Sequence, residues 1–265
     1  MRAAFRCAPI VLLYCLSPSL LPAATAAGQP TSASAHAPAP VSAPVPDTLA
    51  QRLVACTSCH GDPGKPPPRD EPRYFPRIAG KPAGYLYHQL LNFREGRRQY
   101  PLMTWMVTPL SDDYLREIAD YFAAQHLAAA PLDRAGLPTA ELARGHHLVK
   151  QGDTALKVPA CIACHGHRLT GTLPAIPGLL GLPRDYINAQ FGAWRNGSRR
   201  AHAPDCMGTI ATRLSLADVA AVSAWLASEP QPADPAPQAA GPQPLPLACG
   251  SAQQAASTQA REQAR

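Results

Sequence analysis

This 265-residue chain is poor in aromatic residues, at 6%, and in charged residues, at 16%. So few rings leave a small domain short of core bulk, unless something other than side chains fills its centre. There is no run of lysines and arginines, which argues against a nucleic-acid-binding surface. No stretch alternates convincingly between apolar and polar residues, so strands are not expected and the class reads as all-α. A bilayer span needs roughly 20 apolar residues. The stretch from Ala8 to Leu21 falls short of that and is broken by Pro9 and Pro18.

What the chain does have is a repeated motif. Cys56-Thr57-Ser58-Cys59-His60 recurs as Cys161-Ile162-Ala163-Cys164-His165, 105 positions later. C-x-x-C-H is the attachment signature of c-type haem. Two thiols on one short turn can each form a thioether to a haem vinyl group, and the adjacent histidine then lies under the iron. A four-cysteine zinc site wants its two C-x-x-C pairs about 15–20 residues apart. A thioredoxin-like pair has no need of a following histidine, twice over. Two covalently bound c-type haems are therefore expected, held by Cys56, Cys59, Cys161 and Cys164, with His60 and His165 as iron ligands. They would also supply the missing core bulk.

Residues 1–27 have the form of a secretory signal peptide: Arg2 and Arg6, an apolar stretch, then small residues around Ala24-Thr25-Ala26-Ala27. Export to the periplasm suits c-type haem. Of eight cysteines, loss of the leader removes Cys7 and Cys15. Four then hold haem, and Cys206 and Cys249 remain, free to pair in an oxidising compartment. The leader also carries two of the 24 basic residues, leaving 22 against 18 acidic ones. Four haem propionates would bring the whole near neutrality.

Proline, with 31 residues, crowds 28–46, 63–76 and the tail beyond Glu229. The expected organisation is a Pro/Ala-rich linker at 28–46, domains at 47–127 and 139–229 joined by a linker at 128–138, and a disordered tail at 230–265. The domains are copies. Phe75-Pro76-Arg77-Ile78-Ala79-Gly80 matches Ile176-Pro177-Gly178-Leu179-Leu180-Gly181, and Tyr85, Gln89, Arg94 and Gly96 match Tyr186, Gln190, Arg195 and Gly197, all 101 apart. Leu110-Ser111 matches Leu214-Ser215 at 104. Near-constant offsets indicate duplication. Helices are expected at 47–54, 82–95 and 111–125, then at 139–151, 184–195 and 215–228. Ser111 with Asp112 and Asp113, and Ser215 with Asp218, provide N-terminal caps. Leu115, Ile118 and Phe122, and Val219, Val222 and Leu226, form apolar stripes. A loop bearing methionine is expected before each last helix.

The second ligand of each iron decides between electron transfer and catalysis. Six residues separate Met103 from Leu110-Ser111 and Met207 from Leu214-Ser215. This shared register selects Met103 and Met207 as ligands and leaves Met106 as packing at the haem edge. Pro76 and Pro177 are candidates to accept a hydrogen bond from the proximal histidines. Arg94, Arg97, Arg98, Arg195, Arg199 and Arg200 are candidates to pair with propionates. Tyr85, Tyr186, Trp105 and Trp194 are candidates to line the haems. His88, His126, His146, His147, His167 and His202 are not expected as ligands.

The combination of C-x-x-C-H, P-x-[IL]-x-G, Tyr85-Leu86-Tyr87-His88-Gln89-Leu90, Phe93-Arg94-Glu95-Gly96 and Leu110-Ser111-Asp112 resembles the cytochrome c4 family over about residues 47–228. The resemblance implies two tandem class I cytochrome c domains, each a small helical bundle around a covalent haem, related by a pseudo-two-fold axis. It also implies a periplasmic di-haem electron carrier with two His/Met irons and no catalytic residues. Its partners would be redox proteins such as a cytochrome reductase, dehydrogenase or terminal oxidase, with peripheral membrane association. The second copy departs from the pattern: Leu216 replaces an acid, and Cys206 directly precedes Met207. A thiolate ligand there would lower the potential and resemble sulfur-oxidising di-haem enzymes. The competing readings are thus a di-haem oxidoreductase with one labile or Cys-ligated iron, and a cytochrome subunit of a dehydrogenase or oxidase complex.

Overall fold

A helix–turn–helix arrangement wrapped around a hollow centre is built twice along the chain. The computed structural model describes residues 48–61, 75–125 and 136–263. The expected leader and the 28–46 linker lie outside the described residues, as do His126 and most of the interdomain linker.

The first repeat opens with α1 (Leu49–Arg52), whose Thr48 and Gln51 form a reciprocal capping box, and runs directly into α2 (Val54–His60). Further along the chain come α3 (Ala83–Arg94), α4 (Pro101–Val107) and α5 (Asp112–Ala123). Ser111 caps α5 by accepting from the Tyr114 backbone N–H, and Asp112 and Asp113 oppose the positive end of the helix dipole. The anticipated stripe Leu115, Ile118 and Phe122 is buried and packs with Leu53, Leu86, Leu91, Phe93 and Val107.

The second repeat contains α6 (Thr139–Lys150), α7 (Ile162–His165), α8 (Arg184–Arg195), α9 (Cys206–Arg213) and α10 (Leu216–Ser228). Ser215 and Asp218 cap α10 reciprocally. Val219, Val222 and Leu226 are buried as expected, but so is most of the rest of α10, because α6 and α8 cover different sides of it. The α6–α10 crossing is close: a Cβ on Gly145 would lie 2.1 Å from the Ala221 carbonyl oxygen.

Three expectations are corrected. The methionines sit on helices α4 and α9 rather than on loops, because Pro101 and Asp205 each start a helical turn. A minimal hairpin, β1 (Gly171–Thr172) with β2 (Ile176–Pro177), forms where no strand was expected, within a fold that is all-α in class. It is too short to leave an alternating pattern in the sequence. The tail beyond 229 is ordered: an extended segment crosses the second repeat and ends in α11 (Gly250–Gln263), tied down by a disulfide between Cys206 and Cys249. Its composition is that of a disordered segment, but its polar groups find partners on both repeats, Gln231 on Arg77 and Leu180, and Asp234 on Arg168. Pro46–Arg265 forms one compact unit. Among the described residues no single helix is long and apolar enough to cross a membrane.

Candidate haem pockets

Each C-x-x-C-H motif places its histidine at the C-terminal end of a short helix, α2 or α7, followed by a glycine with positive φ, Gly61 at 89° and Gly166 at 82°. That conformation suits glycine and turns the chain sharply away from the motif. The histidines are held alike. His60 Nδ1 is 2.9 Å from the Pro76 carbonyl oxygen, and His165 Nδ1 is 2.7 Å from that of Pro177. A proton on Nδ1 leaves Nε2 free to coordinate. Burial lowers the pKa of both rings, opposed by these carbonyls; Arg98 lowers His60 further and Lys81 lowers His165 further. The neutral form that binds metal is thereby favoured. None of the four motif cysteines is in a disulfide.

A largely apolar cavity of about 570 Å³ runs through both repeats. His60, Cys56, Cys59 and Met103 line one end, and His165, Cys161, Cys164 and Met207 the other. Every residue expected to hold haem or iron thus faces one continuous space, with Pro76 and Pro177. Met106 also lines it, so repeat register remains the ground for preferring Met103. The indole N–H of Trp194, in the wall, is buried without a protein acceptor. A flat apolar group with carboxylate arms fits these walls: each repeat offers two thiols, an imidazole and a thioether to the cavity, and Trp194 adds an unused donor.

The arginines divide into two kinds. Arg94 donates to the Leu110 carbonyl and Asp112, and Arg195 to the Ala211 and Leu214 carbonyls. Both therefore secure the end of the methionine-bearing segment, and neither lines the cavity. Arg97 is likewise outside it, held by Asn92 and Glu95. Arg98, Arg199 and Arg200 do line it, as do Tyr85, Tyr186 and Trp194, whereas Trp105 points away and is 76% exposed. His88, His146, His147, His167 and His202 do not line the cavity.

The repeats exchange equivalent contacts. Arg98 of the first reaches Tyr186 and Gln190, and Arg199 of the second reaches Tyr85 and Gln89. The Gln99 N–H donates to the Ser198 carbonyl, and the Arg200 N–H to that of Arg97. Such reciprocity is the mark of an isologous, two-fold-related interface. Sequence reasoning missed Lys81, which is buried and donates across this interface to the Gly178 carbonyl, 2.5 Å away. Burial and the nearby Arg77 lower its pKa to about 7. The only signal was a lysine where the other repeat has Leu182.

Paired pockets of this construction, in tandem helical repeats, define a di-haem c-type cytochrome. No protein-family model matches the chain. It is 37% identical over 178 residues to a thiosulfate dehydrogenase electron acceptor of Thiomonas intermedia, covering 67% of this chain and 79% of that one. It is 33% identical over 177 residues to cytochrome c4 of Pseudomonas aeruginosa, covering 66% and 84%. Among solved structures, reduced cytochrome c4 from Pseudomonas stutzeri matches with a TM-score of 0.58 at 30% identity, over 68% of this chain and 95% of that one. The thiosulfate dehydrogenase TsdBA of Marichromatium purpuratum matches with a TM-score of 0.58 at 31% identity, over 66% of this chain and 36% of that one. The chain belongs to the cytochrome c4 family. It is an electron-transfer protein with two covalently bound c-type haems.

Proposed function

We propose that this chain is a periplasmic electron carrier. Cys56 and Cys59 hold one haem by thioether bonds and Cys161 and Cys164 the other, while His60 with Met103 and His165 with Met207 ligate the irons. The observation that carries this reading is the duplicated bond from the motif histidine to a proline carbonyl, each histidine facing a cavity that also receives a methionine of matching register. When bound, each iron accepts and returns one electron. Pro76 and Pro177 orient the imidazoles and keep Nδ1 protonated. The apolar walls exclude water, and the Met103 and Met207 thioethers leave no position for a substrate. Cys206 is not available as a thiolate ligand, because its sulfur is bonded to Cys249. The leader-like segment 1–27 and that disulfide support an oxidising, exported location.

The dehydrogenase-linked relative supports a finer reading: an acceptor of electrons from a dehydrogenase that oxidises a sulfur compound. A spectroelectrochemical titration tests the ligation, with both haems expected to show methionine-ligated spectra. Carbon monoxide added to the reduced protein separates carrier from enzyme. Slow, substoichiometric binding is expected, and rapid one-to-one binding at a single haem would establish a labile iron instead.

A further inference from the structure

A second, smaller cavity of about 200 Å³ lies where the two repeats and the tail meet. Arg77, Lys81 and Gln125 come to it from the first repeat, Thr170 and Gly178 from the second, and Gln231 from the tail. No cysteine, histidine or methionine is among the described residues lining it, so it belongs to neither haem pocket. Arg77, Lys81 and Gly178 form a wall common to both cavities. The space is large for a single water, which needs on the order of 15 Å³.

The charges here are one-sided. Lys81 is 9% exposed, and its ammonium donates to a neutral partner, the Gly178 carbonyl. Arg77, which reaches Gln231, is near enough to repel that ammonium. No aspartate or glutamate is among the described residues lining the cavity, and Asp234 in the adjoining tail is held by Arg168. Buried cations are ordinarily matched by an opposite charge. Beside them the Thr170 side chain is 7% exposed, and its hydroxyl has no hydrogen-bond partner among the described residues. An ammonium, a guanidinium and an unused hydroxyl with no opposing charge make the donor set that an oxoanion takes. Duplication shows that haem does not require these cations. At the offset of 101, Arg77 corresponds to Gly178 and Lys81 to Leu182, so the second copy builds its proximal loop with no charge at either position.

We propose that this cavity binds a small, doubly charged oxoanion of the sulfate, thiosulfate or hydrogenphosphate kind, with Lys81, Arg77 and Thr170 as donors. Two positive groups match two negative charges, and a tetrahedral anion can turn oxygens toward both repeats at once. The anion joins parts of the chain that lie far apart in sequence, at the point where Gln231 already bridges Arg77 and the Leu180 carbonyl. Binding to the folded state alone stabilises that state. The site stands apart from the carrier reading, because no residue of either C-x-x-C-H motif lines it.

The test uses the full-length holoprotein with sodium sulfate, thiosulfate and phosphate, each compared with sodium chloride at matched ionic strength. Saturable one-to-one binding by calorimetry and a raised unfolding midpoint are expected for at least one of the three, and not for chloride. Which of the three binds tightest identifies the oxoanion. Lys81→Gln should weaken that binding about tenfold or more, since a charge-assisted contact is lost. Thr170→Val, which removes a hydroxyl and keeps the shape, should weaken it about fivefold. Arg116→Gln, outside the cavity, should leave it unchanged. Absence of saturable binding by all three, an equal response to chloride, or full affinity in Thr170→Val overturns the site. Should Lys81→Gln fail to fold, Thr170→Val decides alone. None of these readouts depends on iron ligation or redox state, so their failure leaves the carrier reading standing.

Discussion

Arg98 and Arg199 bridge to each other through their backbones, and each sends its guanidinium to the glutamine and tyrosine of the opposite repeat. Each also lies over an aromatic ring of its own repeat, Phe93 at 4.6 Å and Trp194 at 3.9 Å. Arg199 is buried, and burial with the neighbouring Arg98 charge lowers its pKa. Its hydrogen bonds offset the desolvation of a charge that would otherwise be costly.

Arg199→Met should therefore loosen the join between repeats. The expected loss is about 2–3 kcal/mol, the scale of hydrogen bonds to a buried charge, with denaturant unfolding separating into two transitions. A single transition at the wild-type midpoint would count against the role assigned to Arg199.

Met103→His should retain both haems and lower the potential of the first alone, since a second imidazole replaces a thioether. Met106→Leu should leave both potentials in place. A redox titration of the two variants decides the matter, and the reverse pattern would transfer the ligand role to Met106.

Cys161→Ala with Cys164→Ala should leave one covalent haem per chain, read by intact mass under denaturing conditions. Two remaining would contradict the assignment of thioethers.

Acid should act on the second repeat through Asp218. Burial pushes its carboxyl pKa up, but hydrogen bonds from Arg144 and Ser215 outweigh this and leave it below its ordinary 3.8. The unfolded chain is then the first to take up a proton as pH falls. The stabilisation is complete above about pH 3.8 and is lost as pH drops through the lower folded value. Asp218→Asn should remove about 1–2 kcal/mol at neutral pH and flatten that part of the acid profile. An unchanged acid midpoint would mean the Arg144–Asp218 pair contributes nothing.

Much of this was legible in the sequence, because covalent haem attachment needs particular residues at fixed spacing. The pockets, the proximal prolines and the methionine register could all be read from residue order, and duplication let each copy check the other. Local chemistry also marked the caps at Ser111 and Ser215 and the stripes behind them. What escaped depends on partners distant in sequence. Arg94 and Arg195 look like propionate ligands until the carbonyls of Leu110 and Leu214 are seen beside them. Lys81 is an ordinary lysine until Gly178 is placed against it. The tail has the composition of disorder, and Gln231, Asp234, Gln238 and Cys249 tie it down, each through a group far away along the chain.

The position of Cys249 has a consequence for how the protein is made. A chain grows from its N-terminus, so both C-x-x-C-H motifs and Met207 are complete before Cys249 exists. The second pocket is open to an incoming cofactor throughout that interval. The bond to Cys206 can form only afterwards, once residue 249 has been made.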